Sequence, residues 1–304
     1  MNYNCFLKEI TQRVRERIYD GCTVEVKPVR KINGLTIDCM TIRRPSDLVC
    51  PNIYMNQIYE QYQNGCSIDQ AADNILRTWQ HASAAAKVDA DLLLSSSIIR
   101  EQVVYRLVNY EKNINLLEEI PHRKILDLAL IFYVLVHTEE MGDGAIMVRN
   151  DFLDYYSVTH KELEESALKN TRKLLPADFL RITDLLREFG EKSGAYSYKD
   201  LTLEEESSQA SMYVLTNTAR LFGAYYMTDL KILHQIAESL NTDLYLLPSS
   251  VHECIVVPEA VCEAPEDLAC IVREINHTQV WAGEYLSDTV YRFRDEGRCL
   301  EIAS

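Results

Sequence analysis

A chain of 304 residues, 47% hydrophobic and 25% charged, is long enough to bury a sizeable core, and its composition excludes global disorder and a coiled coil. The net charge of -15 argues against a general nucleic-acid binder, which needs clustered Lys and Arg. The longest apolar stretch, Leu128 to Val136, falls well short of the roughly eighteen residues that a membrane helix requires.

The first element predicted is an amphipathic helix over Asn4 to Tyr19, with Phe6, Ile10, Val14 and Ile18 on one stripe and an end at Gly21. Thr23 to Val29 and Leu35 to Ile42 are β-branched runs flanking Asn33-Gly34, a dipeptide suited to a tight hairpin turn, and Pro28 marks the first run as an edge strand or a bulge. Pro51 to Tyr62 and Ser67 to His81 read as helices, the second opened by a Ser67/Gln70 capping box. Residues 82 to 97 fit no one pattern.

Val103 to Asn109 and Ile125 to Val136 read as strands, the latter apolar on both faces, with Gly144 to Arg149 as the returning neighbour. Thr159 and Glu162 open a helix to Lys173, Pro176 stops it, and a further helix is predicted over Asp178 to Phe189. From Gly190 to Ser211 the apolar pattern lapses. Beyond it lie a strand at 212–216, a helix at 228–240, strands at 243–247 and 251–257, a helix at 265–276 and a last strand near 289–293. The expected fold is α+β, with an N-terminal α+β region over 1–190, a linker or surface excursion over 191–211 and a compact α+β module over 212–304.

Tyr133-Val-Leu-Val-His-Thr138 with Gly144-Ala145 is echoed by Tyr213-Val-Leu-Thr-Asn-Thr218 with Gly223-Ala224, and two strand-to-hairpin-to-helix units account for it. The blocks Asn33-Gly-Leu-Thr36, Pro51-Asn-Ile-Tyr-Met-Asn56, Ile120-Pro-His-Arg123, Met212-Tyr-Val-Leu-Thr-Asn217 and Asp243-Leu-Tyr-Leu-Leu-Pro-Ser-Ser-Val-His-Glu253 carry a further likeness. In that order they resemble a bacterial domain family of unknown function, more distantly similar to the uncharacterised YtpQ-like proteins. The resemblance implies a cytoplasmic bacterial protein and hands over no activity, cofactor or catalytic residue.

The nine cysteines form an odd set without a Cys-x-x-Cys pair, and the N-terminus lacks the pattern of a secretory leader; both predict reduced thiols in the cytoplasm. Residues 1–45 hold nine Lys or Arg against five acids, a net +4 that could steer an acidic partner, though a solvated face explains it as well. Tyr54, Tyr59 and Tyr62 form an aromatic strip that reads first as core. The Glu162, Glu164 and Glu165 group and the run Glu204 to Glu206 read as solvated surface.

The polar turn Pro248 to Glu253 is the best local site candidate, since it sets Ser249, Ser250, His252 and Glu253 between two apolar strands. In extended geometry Ser250 and His252 would share a face, as a Ser-His contact requires, but no third group or oxyanion donor is visible. Pro121-His122-Arg123 offers an imidazole and a cation that could hold an anion or pair with Asp127. No His-Glu-x-x-His, Walker loop or Gly-x-Gly-x-x-Gly occurs, so no metal and no cofactor is predicted.

The leading functional expectation is a non-enzymatic protein-binding or adaptor protein, chaperone-like, with no nucleic acid or membrane partner. The alternatives are a hydrolase of unfamiliar type, with Ser249, Ser250, His252, Glu253, His122 and Arg123 converging, and a small-ligand sensor.

Overall fold

The computed structural model describes residues 1–18, 21–45, 50, 52–93, 96–138, 142–184, 212–262 and 265–303. They form an α+β fold with three antiparallel sheets, and they group into two compact units, residues 1–99 with 134–146 and residues 100–133 with 147–304.

In the first unit, α1 (Tyr3–Arg17) starts where the Asn2 side chain accepts the Cys5 backbone N–H at 2.9 Å. Its stripe of Phe6, Ile10 and Val14 is fully buried against Met40, Ile42 and Trp79, each such side chain contributing about 1.5–3 kcal/mol of transfer free energy. Strands β1 (Thr23–Arg30) and β2 (Thr36–Arg43) pair antiparallel with Arg30 opposite Thr36. The turn between them needs positive φ at two successive positions, and Asn33 (62°) and Gly34 (70°) supply it. Strand β1 lies at the edge of the order β1-β2-β3, where Pro28 costs no ladder bond. The expected helix from Pro51 instead begins as the short strand β3 (Ile53–Tyr54), which pairs with Cys39 and Met40 before α2 (Met55–Gln63).

Tyr59 and Tyr62 of α2 pack on Phe6, with each ring 5.1 Å from the Phe6 ring, so these two tyrosines are core. The Ser67/Gln70 capping box forms as expected, and α3 (Ile68–Leu93) runs through most of the stretch that fitted no pattern. Arg13 and Arg17 of α1 are engaged by Asp69, with Asp73 a further 2.6 Å partner of Arg17. Much of the basic excess of the N-terminal segment is therefore met by acids of α3 and is not a free cationic face.

In the second unit, α4 (Ser96–Gln102, begun in the first) leads into β4 (Val103–Asn109). Strands β5 (His122–Ile125) and β6 (Leu128–Thr138) follow a short α5 (Ile114–Leu117), giving the order β4-β6-β5; from Val134 on, β6 belongs to the first unit, as does β7 (Gly142–Met147) up to Ile146, and β7 pairs with β6. Helix α7 (His160–Leu174), capped by the Thr159/Glu162 box, follows α6 (Asn150–Tyr156) and packs on β4. Thr171 Oγ1 accepts the Tyr105 N–H at 2.9 Å across that contact.

A six-stranded sheet has the order β13-β12-β10-β11-β9-β8. Its strands are β8 (Ala177–Arg181), β9 (Tyr213–Asn217), β10 (Leu244–Pro248), β11 (Cys254–Pro258), β12 (Tyr291–Arg294) and β13 (Cys299–Ile302). Helix α8 (Leu230–Leu240) follows a 3-10 turn, and α9 (Pro265–Thr278) buries Leu268, Ala269 and Val272 on the sheet.

Two expectations fail here. Asp178 to Arg181 is strand, not helix, because Phe179 stacks on Tyr213 at 4.7 Å in a paired ladder that overrides local propensity; residues 182–184 are helical as expected, and the part beyond Asp184, like the 191–211 excursion, lies outside the described residues. The echoed segments also diverge. Gly144-Ala145 sits in a strand, whereas Gly223-Ala224 opens the 3-10 turn Gly223–Thr228, so only the first copy is a strand-to-hairpin-to-helix unit.

Candidate functional site

Arg106 is the one charged residue of β4, whose neighbours in the strand are buried. Alternation along the strand sends Tyr105 and Arg106 to opposite faces. Tyr105 meets Phe132 and Tyr225 on its side, with ring centroids 5.2 Å apart in each pair. On the other, the Arg106 guanidinium lies 5.4 Å from the Tyr133 ring centroid and 4.9 Å from that of Phe222. Nη2 donates a long 3.5 Å hydrogen bond to the Gly283 carbonyl, and Nε is sealed from solvent without an acceptor. No carboxylate among the described residues forms an ion pair with it. Burial works against its charge and lowers its pKa, while the nearby Tyr133 and Glu284 act the other way.

Phe222 reaches Arg106 through a strained loop. Asn217, fully buried at the end of β9, accepts the N–H groups of Ala219 and Leu221 on Oδ1 and donates to the Leu221 carbonyl at 2.6 Å. That clamp holds Arg220 and Phe222 at φ 53° and 58°, a region non-glycine residues seldom enter. Gly223 follows because nothing larger fits: a Cβ there would run into the His252 carbonyl and the Thr216 hydroxyl.

His252 closes the arrangement. Its Nδ1 accepts the Phe222 N–H at 3.3 Å, which leaves the proton of the neutral ring on Nε2, 3.7 Å from a Glu284 carboxylate oxygen. The imidazole stacks on Phe222 with centroids 6.1 Å apart. Burial pulls its pKa below the ordinary histidine value and Arg106 adds to the fall; Glu284, Glu253 and the Arg220 carbonyl oppose it. The ring is partly exposed (30%), as is Glu284 (42%), so solvent reaches the group from their side. The backbone of Glu284 is fixed by its own N–H to the Trp281 carbonyl (2.8 Å) and by the Val251 N–H to its carbonyl (3.0 Å).

The predicted site residues separate. Residues 249–253 are a bend, not an extended strand: Ser250 N–H donates to the Glu253 carbonyl at 3.2 Å, and Ser250 Oγ accepts the His252 backbone N–H at 3.0 Å. The Ser250 hydroxyl thus meets His252 through its backbone; among the described residues neither Ser249 nor Ser250 hydrogen-bonds the imidazole. His122 places Nδ1 3.2 Å from the Ile120 carbonyl with its ring near Tyr110, and Arg123 lies 6.0 Å over Tyr105, on the strand face opposite Arg106. No hydrogen bond, ion pair or ring contact among the described residues links either to the 249–253 bend. Asp127 takes hydroxyls instead of Arg123, from Tyr291 (2.6 Å), Ser287 (2.7 Å) and Thr289 (3.2 Å).

Arg106 and Glu284 are absent from the residues predicted. The first had a signal, a lone charge in a strand whose other residues are uncharged and mostly apolar, which is costly unless something meets it. The second had none, since one Glu in a loop is ordinary. A family described only as a family of unknown function (DUF5688) matches residues 3–295, and the chain belongs to it. Neither the curated proteins nor the solved structures contain a match.

Proposed function

We propose that this member of a family of unknown function is a small-ligand-binding protein, and that its second unit takes an anionic group, a carboxylate first of all, on Arg106. Arg106 itself is the observation that carries this. A guanidinium drawn between two rings, with a sealed Nε and no carboxylate partner among the described residues, loses hydration that π faces return only in part. The planar fork of an arginine matches a carboxylate or phosphate in two parallel hydrogen bonds, and such a ligand supplies the direct counter-charge that Glu284 offers only without an ion pair.

Binding is favoured over the hydrolase alternative because a serine nucleophile needs its hydroxyl on the imidazole. Here the Ser250 oxygen is engaged by backbone and Nδ1 of His252 is engaged by Phe222. A more distant kinship with the YtpQ-like proteins is proposed on the sequence blocks alone and brings no activity to this choice. An adaptor role would require a partner surface, and Arg106, with its rings, is suited to a small group instead.

Equilibrium unfolding in acetate against chloride at matched ionic strength tests the proposal. A ligand that binds only the folded chain adds about 0.4 kcal/mol when its concentration equals Kd and about 1.4 kcal/mol at ten times Kd. The wild-type chain should show that gain and Arg106→Lys should lose it. Equal gains in both, or none in the wild type, would overturn the proposal.

A further inference from the structure

Resting on that reading, we infer that the ligand is zwitterionic, an amino acid or similar compound whose ammonium lies a short way from its carboxylate. A lone anion site would surround its arginine with neutral donors. Here a carboxylate and the guanidinium both lie near the His252 imidazole, and the two do not form an ion pair: Glu284 leans toward His252 Nε2 at 3.7 Å, and none joins it to Arg106 among the described residues. The Glu284 backbone is pinned by Val251 and Trp281, and Arg106 Nη2 reaches the carbonyl of the preceding Gly283, so a cation and an anion are held near each other without forming an ion pair. A bare anion would gain Arg106 and meet repulsion from Glu284. A bare amine would meet the reverse. A zwitterion satisfies both.

A second feature marks the Glu284 side as the ammonium end. Trp281 is 59% exposed, an unusual place for so large an apolar surface, and its indole lies over Gly283, where an added Cβ would strike the ring. Ammonium groups are drawn to an indole face, and Glu284, next in sequence to Gly283, offers a carboxylate as a charge-assisted partner. Gly283 joins the two ends, since its carbonyl receives Arg106 Nη2 while its bare Cα leaves the indole room.

Glycine, acetate and methylamine are the probes, since glycine is the zwitterion and the other two are its halves. Each is titrated into the intact chain while the ¹⁵N resonance of Arg106 Nε–H, assigned by its loss in Arg106→Lys, and the Trp281 indole resonance are followed. Glycine should shift both at about fivefold lower concentration than acetate, the upper end of what a half-exposed ion pair contributes. In Glu284→Gln that advantage should vanish while acetate binds as well as before or better; unchanged backbone amides elsewhere show that the variant is folded. Equal response to glycine and acetate, or an advantage that survives Glu284→Gln, overturns the zwitterion and leaves the anion site standing. If neither glycine nor acetate moves Arg106 Nε–H, both proposals fall.

Discussion

Half-burying an arginine without an ion-pair partner is unfavourable for folding alone. Replacing a buried charge with an apolar side chain of similar length is often neutral or stabilising by about 1–4 kcal/mol. Arg106→Met, whose side chain can fill the space between Tyr133 and Phe222, should therefore unfold at an equal or higher urea concentration than wild type when no ligand is present; a loss of several kcal/mol would make Arg106 structural. His252 carries a second expectation at this scale. Its folded pKa is lowered, mainly by burial, so below about pH 6.5 the unfolded chain takes up a proton that the folded chain resists. Stability attributable to His252 is thus intact above that pH and declines as pH falls toward the folded value. In urea unfolding measured from about pH 7 to pH 5, His252→Gln should show a shallower decline than wild type; parallel curves would count against it. His252 was legible as a polar residue in a turn, but its role was not. Alternation assumed an extended chain, and the bend closed by Ser250 and Glu253 replaced the expected Ser-His face with a backbone contact.

Elements announced by local chemistry were legible, and those made by distant pairing were not. Asn33-Gly34 names its own turn, and the Ser67/Gln70 and Thr159/Glu162 boxes name their own helix starts. Strand β8 owes its form to β9, and no local signal in Ala177 to Arg181 reveals that partner. The loop from Asn217 to Gly223 is likewise visible only in three dimensions, because its left-handed Arg220 and Phe222 are held by Asn217 and not chosen by their own preference. Gly223→Ala tests how closely that loop is packed. The new methyl would lie 2.8 Å from Thr216 Cα besides striking the His252 carbonyl, so the loop must shift and carry Phe222 with it. Overpacking of this kind costs about 1–3 kcal/mol, and the thermal midpoint should fall accordingly while Arg106 Nε–H changes environment. An unchanged midpoint and resonance would show that the loop yields freely.

For the whole molecule, the net charge of -15 describes the sum and not any one face. The basic N-terminal helix spends Arg13 and Arg17 on Asp69 and Asp73, whereas Arg106 is half-buried in the second unit on a strand that holds no other charge, with no ion pair among the described residues. Charge counted along the chain therefore pointed away from the group that the structure singles out. The six-stranded sheet holds one further consequence. Arg181 stands opposite Tyr213, and the Ile182 N–H reaches the Met212 carbonyl at 3.1 Å, so the chain departs from the sheet and rejoins it on the same rung. Holding two positions so far apart in sequence on one rung carries an entropic cost, which the ladder of β8 on β9 must offset for the edge of this sheet to form.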